Sequence, residues 1–134
     1  MEINDAIYGT FEIKDKVIID LIQTETFQRL NKISQYGIPK KYYHIKGDFS
    51  RYEHSIGVML FLRKFNANLE EQVSGLLHDV SHTAFSHIGD WIFGSSKEEN
   101  YQDLNHKDFI EKTGLSLILS QNNLESNRIT NLHN

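Results

Sequence analysis

The chain has 134 residues, of which 39% are hydrophobic and 24% charged, with a net charge of −4 and no cysteine. That length fits one compact domain, enough to bury about two thirds of its unfolded surface. The charge argues against a broad nucleic-acid surface, and any metal site must use imidazole and oxygen ligands because thiolates are absent. No segment approaches the roughly 18 apolar residues of a membrane span, and the start, Met1-Glu-Ile-Asn-Asp5, lacks the basic and apolar regions of a signal peptide. These features place the expected chain in the cytoplasm with no membrane partner.

Residues 1 to 15 alternate loosely around Gly9, with Ile7, Phe11 and Ile13, and suggest a short hairpin or extended arm. Ile18, Ile19 and Ile22 share one face of a short helix from Lys16. Phe27, Leu30, Ile33 and Ser34 mark a second, ended near Gly37 and Pro39. The stretch from Gly37 to Ser50 reads as a loop, in which Lys40, Lys41 and Lys46 with Arg51 form a local basic strip. Arg51 to Phe65 is the clearest helix, with His54, Val58, Phe61 and Phe65 as its expected inward stripe and Arg51 pointing the same way. Asn68 is placed to cap the next helix ahead of Glu70 and Glu71, and Val73, Leu76, Leu77 and Val80 form that helix's apolar stripe. Ser74 and Gly75 on it are small enough to admit a neighbouring backbone or a ligand.

After a turn over Ser81 to Phe85, residues Ser86 to Phe93 read as a short helix with His87 and Asp90 on one side. Asn105 is the expected cap of a further helix whose inward face, His106, Phe109, Ile110 and Thr113, stops at Gly114. Leu115 to Leu119 is an apolar group, and the Asn- and Ser-rich stretch from about 120 to 134 is expected to lack order.

The chemistry gathers between Gly75 and Asp90, where His78, His82 and His87 with Asp79 and Asp90 follow an aliphatic run that reads as the buried end of a helix. An ionised Asp beside buried leucines costs several kcal/mol, roughly, unless something pairs with it. A divalent cation is one such partner. For any single histidine a core or capping role is the simpler explanation. For His54, His78, His82, His87 and His106 together with Asp79 and Asp90, a functional site explains more. Neutral imidazole and carboxylate suit Zn, Fe, Mn or Co, and sometimes Mg.

The runs Arg51-Tyr-Glu-His54-Ser-Ile-Gly-Val58 and Gly75-Leu-Leu-His78-Asp79-Val-Ser-His82-Thr-Ala-Phe-Ser-His87 strongly resemble the HD-domain phosphohydrolase superfamily. With Asn4-Asp-Ala-Ile-Tyr-Gly9 and Phe27-Gln-Arg-Leu-Asn-Lys-Ile-Ser-Gln35, the chain resembles the deoxynucleoside triphosphate triphosphohydrolase branch over about residues 3 to 113. The resemblance implies an all-α HD helical bundle with an N-terminal hairpin, residues 1–134 forming a single HD domain that is the N-terminal portion of a larger phosphohydrolase. It implies that His54, His78 and Asp79 are metal ligands and that His82, His87, Asp90 and His106 line the triphosphate side of the cleft. Asp90, three positions after His87, is expected to hold that ring as the general acid, with His82 and His106 as phosphate donors.

Arg51 is expected to grip a phosphate through its planar fork, and Gln35 matches a family position near the sugar and base. The implied reaction is hydrolysis of a dNTP to deoxynucleoside and tripolyphosphate with a divalent metal. The family's fourth ligand, an aspartate on a later helix, has no counterpart in context here: Asp103 and Asp108 are the aspartates that follow Asp90. Two other readings therefore stand beside it, a non-catalytic metal- or nucleotide-binding module and a phosphohydrolase of another phosphoester. A homo-oligomer is the partner that would supply the wall of the pocket the family completes with later residues.

Overall fold

The computed structural model describes residues 1–36, 47, 49–83 and 101–131, and of residues 101–104 the backbone alone. Among these the fold is helical, with a two-stranded antiparallel hairpin in front. Strands β1 (Glu2–Asp5) and β2 (Gly9–Glu12) pair Glu2 with Glu12 and Asp5 with Gly9. Gly9 takes the left-handed φ of 86° that the turn demands. The hairpin is anchored by Ile13, which is wholly buried, and its tip leaves Ile7 in solvent.

Helix α1 (Lys16–Gln23) buries Val17, Ile18, Leu21 and Ile22 on one face, while Ile19, expected there with Ile18 and Ile22, is half-buried because Val17 and Leu21 take the inner positions. Thr24 then stops α1 and caps α2 (Glu25–Gln28), its hydroxyl accepting from the Phe27 N–H. The single longer helix expected here is instead α2 followed by a 3-10 turn at Arg29–Lys32, which ends where Ile33 becomes extended. There the chain is tied by a bridge between Ser34 and Ser50 and by the Arg51 N–H donating to the Ile33 carbonyl at 2.8 Å.

Helix α3 (Arg51–Lys64) begins with a full capping box, Ser50 and Glu53 each satisfying the other's backbone N–H. Its buried face is Arg51, Ser55, Ile56, Met59 and Leu60. This corrects the expected stripe: Phe61 and Phe65 lie outside, 43% and 68% exposed, and cover each other with ring centroids 4.7 Å apart. Met59 and Leu60 fill the core space that these aromatics were expected to take, which turns the helix by roughly one position.

Asn66, at φ 59°, reverses the chain, and Asn68 with Glu71 forms a second capping box at the head of α4 (Leu69–Leu77), as expected. Val73, Leu76, Leu77 and Val80 are wholly buried. Gly75 lets α3 come close: a Cβ there would stand 2.4 Å from Leu62 Cδ1 and 3.1 Å from Val58 Cγ1. Ser74 does the same on the other side by donating its hydroxyl to the Ile129 carbonyl at 2.7 Å.

Helix α5 (Tyr101–Lys112) runs through Asn105, so Asn105 is an interior residue and not a cap. It stops before Gly114, φ 77°, as read from the sequence. Helices α6 (Leu115–Gln121) and α7 (Ser126–Asn131) close the bundle against α1, α4 and α5. The expected disorder from about 120 is not found over 120–131, and of the Leu115 to Leu119 group Leu117 faces solvent while its two ends are buried. Leu115, Leu119 and Ile129 are buried and Leu124 nearly so, because alternate turns of these short helices each bring one aliphatic group inward. The basic strip at Lys40, Lys41 and Lys46 and the helix expected at Ser86 to Phe93 lie outside the described residues.

Candidate metal centre

The α3–α4 packing brings the sequence motif together. His54 sits on the second turn of α3, and His78 and Asp79 follow directly on the last turn of α4. The ligand atoms of His54, His78 and Asp79 lie within 4.8 Å of one another, the groups half-buried, half-buried and buried. His54 Nε2 and His78 Nε2 are 3.1 Å apart, and Asp79 Oδ2 and Oδ1 stand 3.7 Å and 3.4 Å from those two nitrogens.

Several details favour lone pairs over protons at the centre. His78 Nδ1 is 2.7 Å from the Gly75 carbonyl, which can only accept, so Nδ1 carries a proton and, in the neutral ring, Nε2 is the donor atom toward His54. Burial pushes the His54 imidazole below its usual range, Arg51 and His82 adding to this and the Asp79 charge opposing it. The ring is therefore neutral at pH 7. For Asp79, burial would raise the carboxyl, but the His82 hydrogen bond and the charges of His78, His82 and Arg51 outweigh it and hold the group well below the usual carboxylate range.

A divalent cation fits this set. Two nitrogens held at about 2.1 Å from one ion at tetrahedral or octahedral angles stand roughly 3.0–3.4 Å apart, and the observed 3.1 Å lies in that interval.

Around the cluster stand groups that fix Asp79. Arg51 NH1 reaches Oδ2 at 2.5 Å, both side chains being almost wholly buried. His82 Nε2 donates to Oδ1 at 3.1 Å from one helical turn on. Arg51, expected to grip a phosphate, is thus engaged with the carboxylate. His106 on α5 is joined to the motif through Ser81, whose Oγ is 3.1 Å from His106 Nδ1. Beside His82 a cavity of about 490 Å³ opens, bordered by Ser81, Thr83, Asn105 and Lys112. Gln35, at the foot of the α3 cap, donates its backbone N–H to the Phe49 carbonyl at 2.9 Å, and its side-chain oxygen is buried without a hydrogen-bond partner among the described residues. His87 and Asp90 lie outside the described residues.

Sequence reasoning missed Arg29. From the 3-10 turn its guanidinium donates to the His82 carbonyl at 2.8 Å and to the Val80 carbonyl, and it lies 5.0 Å over the Phe109 ring. It closes the carbonyls of the turn that carries Asp79 and His82. A cation within the otherwise apolar Phe27, Leu30 and Ile33 spacing was the available signal.

An all-helical bundle that converges two imidazoles and a carboxylate from the ends of neighbouring helices defines a metal-centre protein of the histidine–aspartate kind. Family comparison agrees: the HD domain matches residues 51–127, and the chain belongs to the HD domain family. It is 47% identical over 104 residues, 78% of the chain, to the uncharacterized protein YdhJ of Bacillus subtilis, covering 31% of that protein. It is 34% identical over 122 residues, 91% of the chain and 35% of the relative, to the metal-dependent phosphohydrolase cns2 of Cordyceps militaris. To the deoxynucleoside triphosphate triphosphohydrolase SAMHD1 homolog of Dictyostelium discoideum it is 35% identical over 123 residues, 78% of the chain and 24% of the relative. The chain thus spans about a third or less of these relatives' lengths. Among the described residues no helix is long and apolar enough to cross a membrane.

Proposed function

We propose that this chain carries the metal-binding part of a phosphohydrolase that converts deoxynucleoside triphosphates to deoxynucleoside and tripolyphosphate, as the N-terminal portion of a larger enzyme. The observation that carries the reading is the convergence of His54, His78 and Asp79 within 4.8 Å, supported by the relatives named above. A divalent metal, when held by those three residues, supplies Lewis-acid activation of a phosphoryl group and of water.

The chain's own residues do the rest. Arg51 and His82 fix the Asp79 carboxylate from opposite sides, so its oxygens do not turn away from the imidazoles. His106, coupled through Ser81, offers a donor to the phosphate chain on the side of the 490 Å³ cavity that His82 borders. His87, oriented by Asp90, protonates the departing 5′ oxygen in this reading. Gln35, at the foot of the α3 cap, meets the sugar or base in this reading.

The test is metal-dependent release of tripolyphosphate from dNTPs by the chain, followed by product identification. His78→Ala is expected to abolish it. An unaffected variant, or release of a single phosphate or of product from another phosphoester, would reject the reading; tight metal-dependent dNTP binding with no turnover would support the binding-module alternative instead.

A further inference from the structure

A second cavity, of about 220 Å³, lies between the hairpin turn and α3. Tyr8, Phe49 and Phe61 supply its aromatic lining, and His54 borders it as well. Asp5 is its preset acceptor. Its Oδ1 is taken by the Ile7 and Tyr8 backbone N–H groups at 2.8 Å each, which fixes the carboxylate and turns Oδ2 toward Gly57. The other carboxylate, Glu53, spends its Oε2 on the Ser50 cap.

Gly57 is the telling residue. It lies in the middle of α3, where glycine is the poorest helix former after proline. Among the described residues nothing excludes a side chain there: a Cβ would meet nothing nearer than Asp5 Oδ2 at 3.8 Å and Tyr8 Cε2 at 4.0 Å, ordinary contact distances. A methyl at that point would stand inside the cavity. The glycine thus weakens the helix and keeps a slot open, without any packing need.

We infer that this slot, floored by Gly57 and walled by aromatic rings beside His54, binds a planar ring bearing N–H donors, that is, a nucleobase with an exocyclic amine, read by the Asp5 carboxylate. Aromatic faces take the ring by stacking. A fixed carboxylate oxygen accepts from an amine, and this favours adenine, cytosine or guanine over thymine. The inference rests on the nucleotide reading above and extends it to base recognition.

The experiment measures, by calorimetry on the Mn²⁺-loaded chain, binding of deoxyadenosine, deoxycytidine and thymidine, with dNTP turnover followed on the same preparations. The two amine-bearing nucleosides are expected to bind roughly tenfold or more tightly than thymidine, the worth of one hydrogen bond to a charged acceptor. Gly57→Ala is expected to melt a few degrees higher, as helix propensity requires, and yet to lose about tenfold in nucleoside affinity. Asp5→Asn keeps the turn through its amide oxygen and presents an NH₂ in place of Oδ2, so the order should reverse toward thymidine. Equal binding of all three nucleosides, or a stabilised Gly57→Ala with undiminished affinity, overturns the slot. Turnover without base preference would overturn it while leaving the phosphohydrolase reading intact. Selective nucleoside binding without turnover would do the opposite.

Discussion

Replacing Arg51 with Met tests whether the carboxylate at the centre is held by charge. Arg51 and Asp79 are almost fully buried and meet at 2.5 Å. Removing one partner of a buried pair costs about 3–5 kcal/mol, because the other charge is left behind. Three imidazoles still stand within 3.7 Å of Asp79, and His82 still donates to it, so the lower end applies, about 3 kcal/mol. For a domain of this size that is on the order of 10 °C in Tm.

The sign with pH follows from the same pair. Asp79's folded pKa lies below its unfolded value, so its contribution is present above the unfolded pKa of about 3.9 and is lost as pH falls through the folded one. In Arg51→Met the folded value rises, and acid unfolding should begin at higher pH. The assay is thermal melting of parent and variant in EDTA and in excess Mn²⁺ across pH. A ligand at 100 times its Kd adds about 2.7 kcal/mol, and a cation replacing the lost guanidinium should raise the variant's Tm at least as much as the parent's. A metal-free variant melting within about 2 °C of the parent, with the same acid limb, would refute the reasoning.

Asn68→Ala removes the cap of α4 and should cost about 1 kcal/mol in urea unfolding with Mn²⁺ affinity unchanged, since the helix end that bears the ligands is remote from it. Gly75→Ala puts a methyl against Leu62 and Val58, so it should cost about 1–3 kcal/mol and, by moving α3 from α4, weaken Mn²⁺ binding severalfold in titrations that leave Asn68→Ala unaffected. Burial raises the Tyr52 phenol, a Gln28 hydrogen bond partly opposing it. Its contribution is therefore full below the unfolded pKa of about 10 and is lost as pH rises through the folded value, which Tyr52→Phe should abolish in alkaline melting curves.

Much of the centre was legible because its parts are local. His78 and Asp79 are adjacent, and His54 stands early on a helix whose start is marked by the Ser50 and Glu53 box. The Asn68 cap and the stripe of α4 could be read for the same reason. What could not be read depended on competition between side chains for the same core. Phe61 and Phe65 looked inward by spacing and size, yet Met59 and Leu60 fill that volume and the aromatics cover each other outside. Nothing local shows that Arg51, read as a phosphate ligand, also reaches Asp79, 28 positions later. The tail looked polar on average, while its burial rests on single residues such as Leu124 and Ile129 whose partners lie on distant helices.

The bond from His78 Nδ1 to the Gly75 carbonyl carries a further meaning. That carbonyl belongs to the closing turn of α4, so the helix itself dictates which nitrogen of the ring is bare. Should that turn fray, the imidazole would lose both its orientation and its enforced tautomer together. Cation capture then becomes a report on how well one helix terminus is wound, and anything that loosens the terminus dims the centre without touching a ligand.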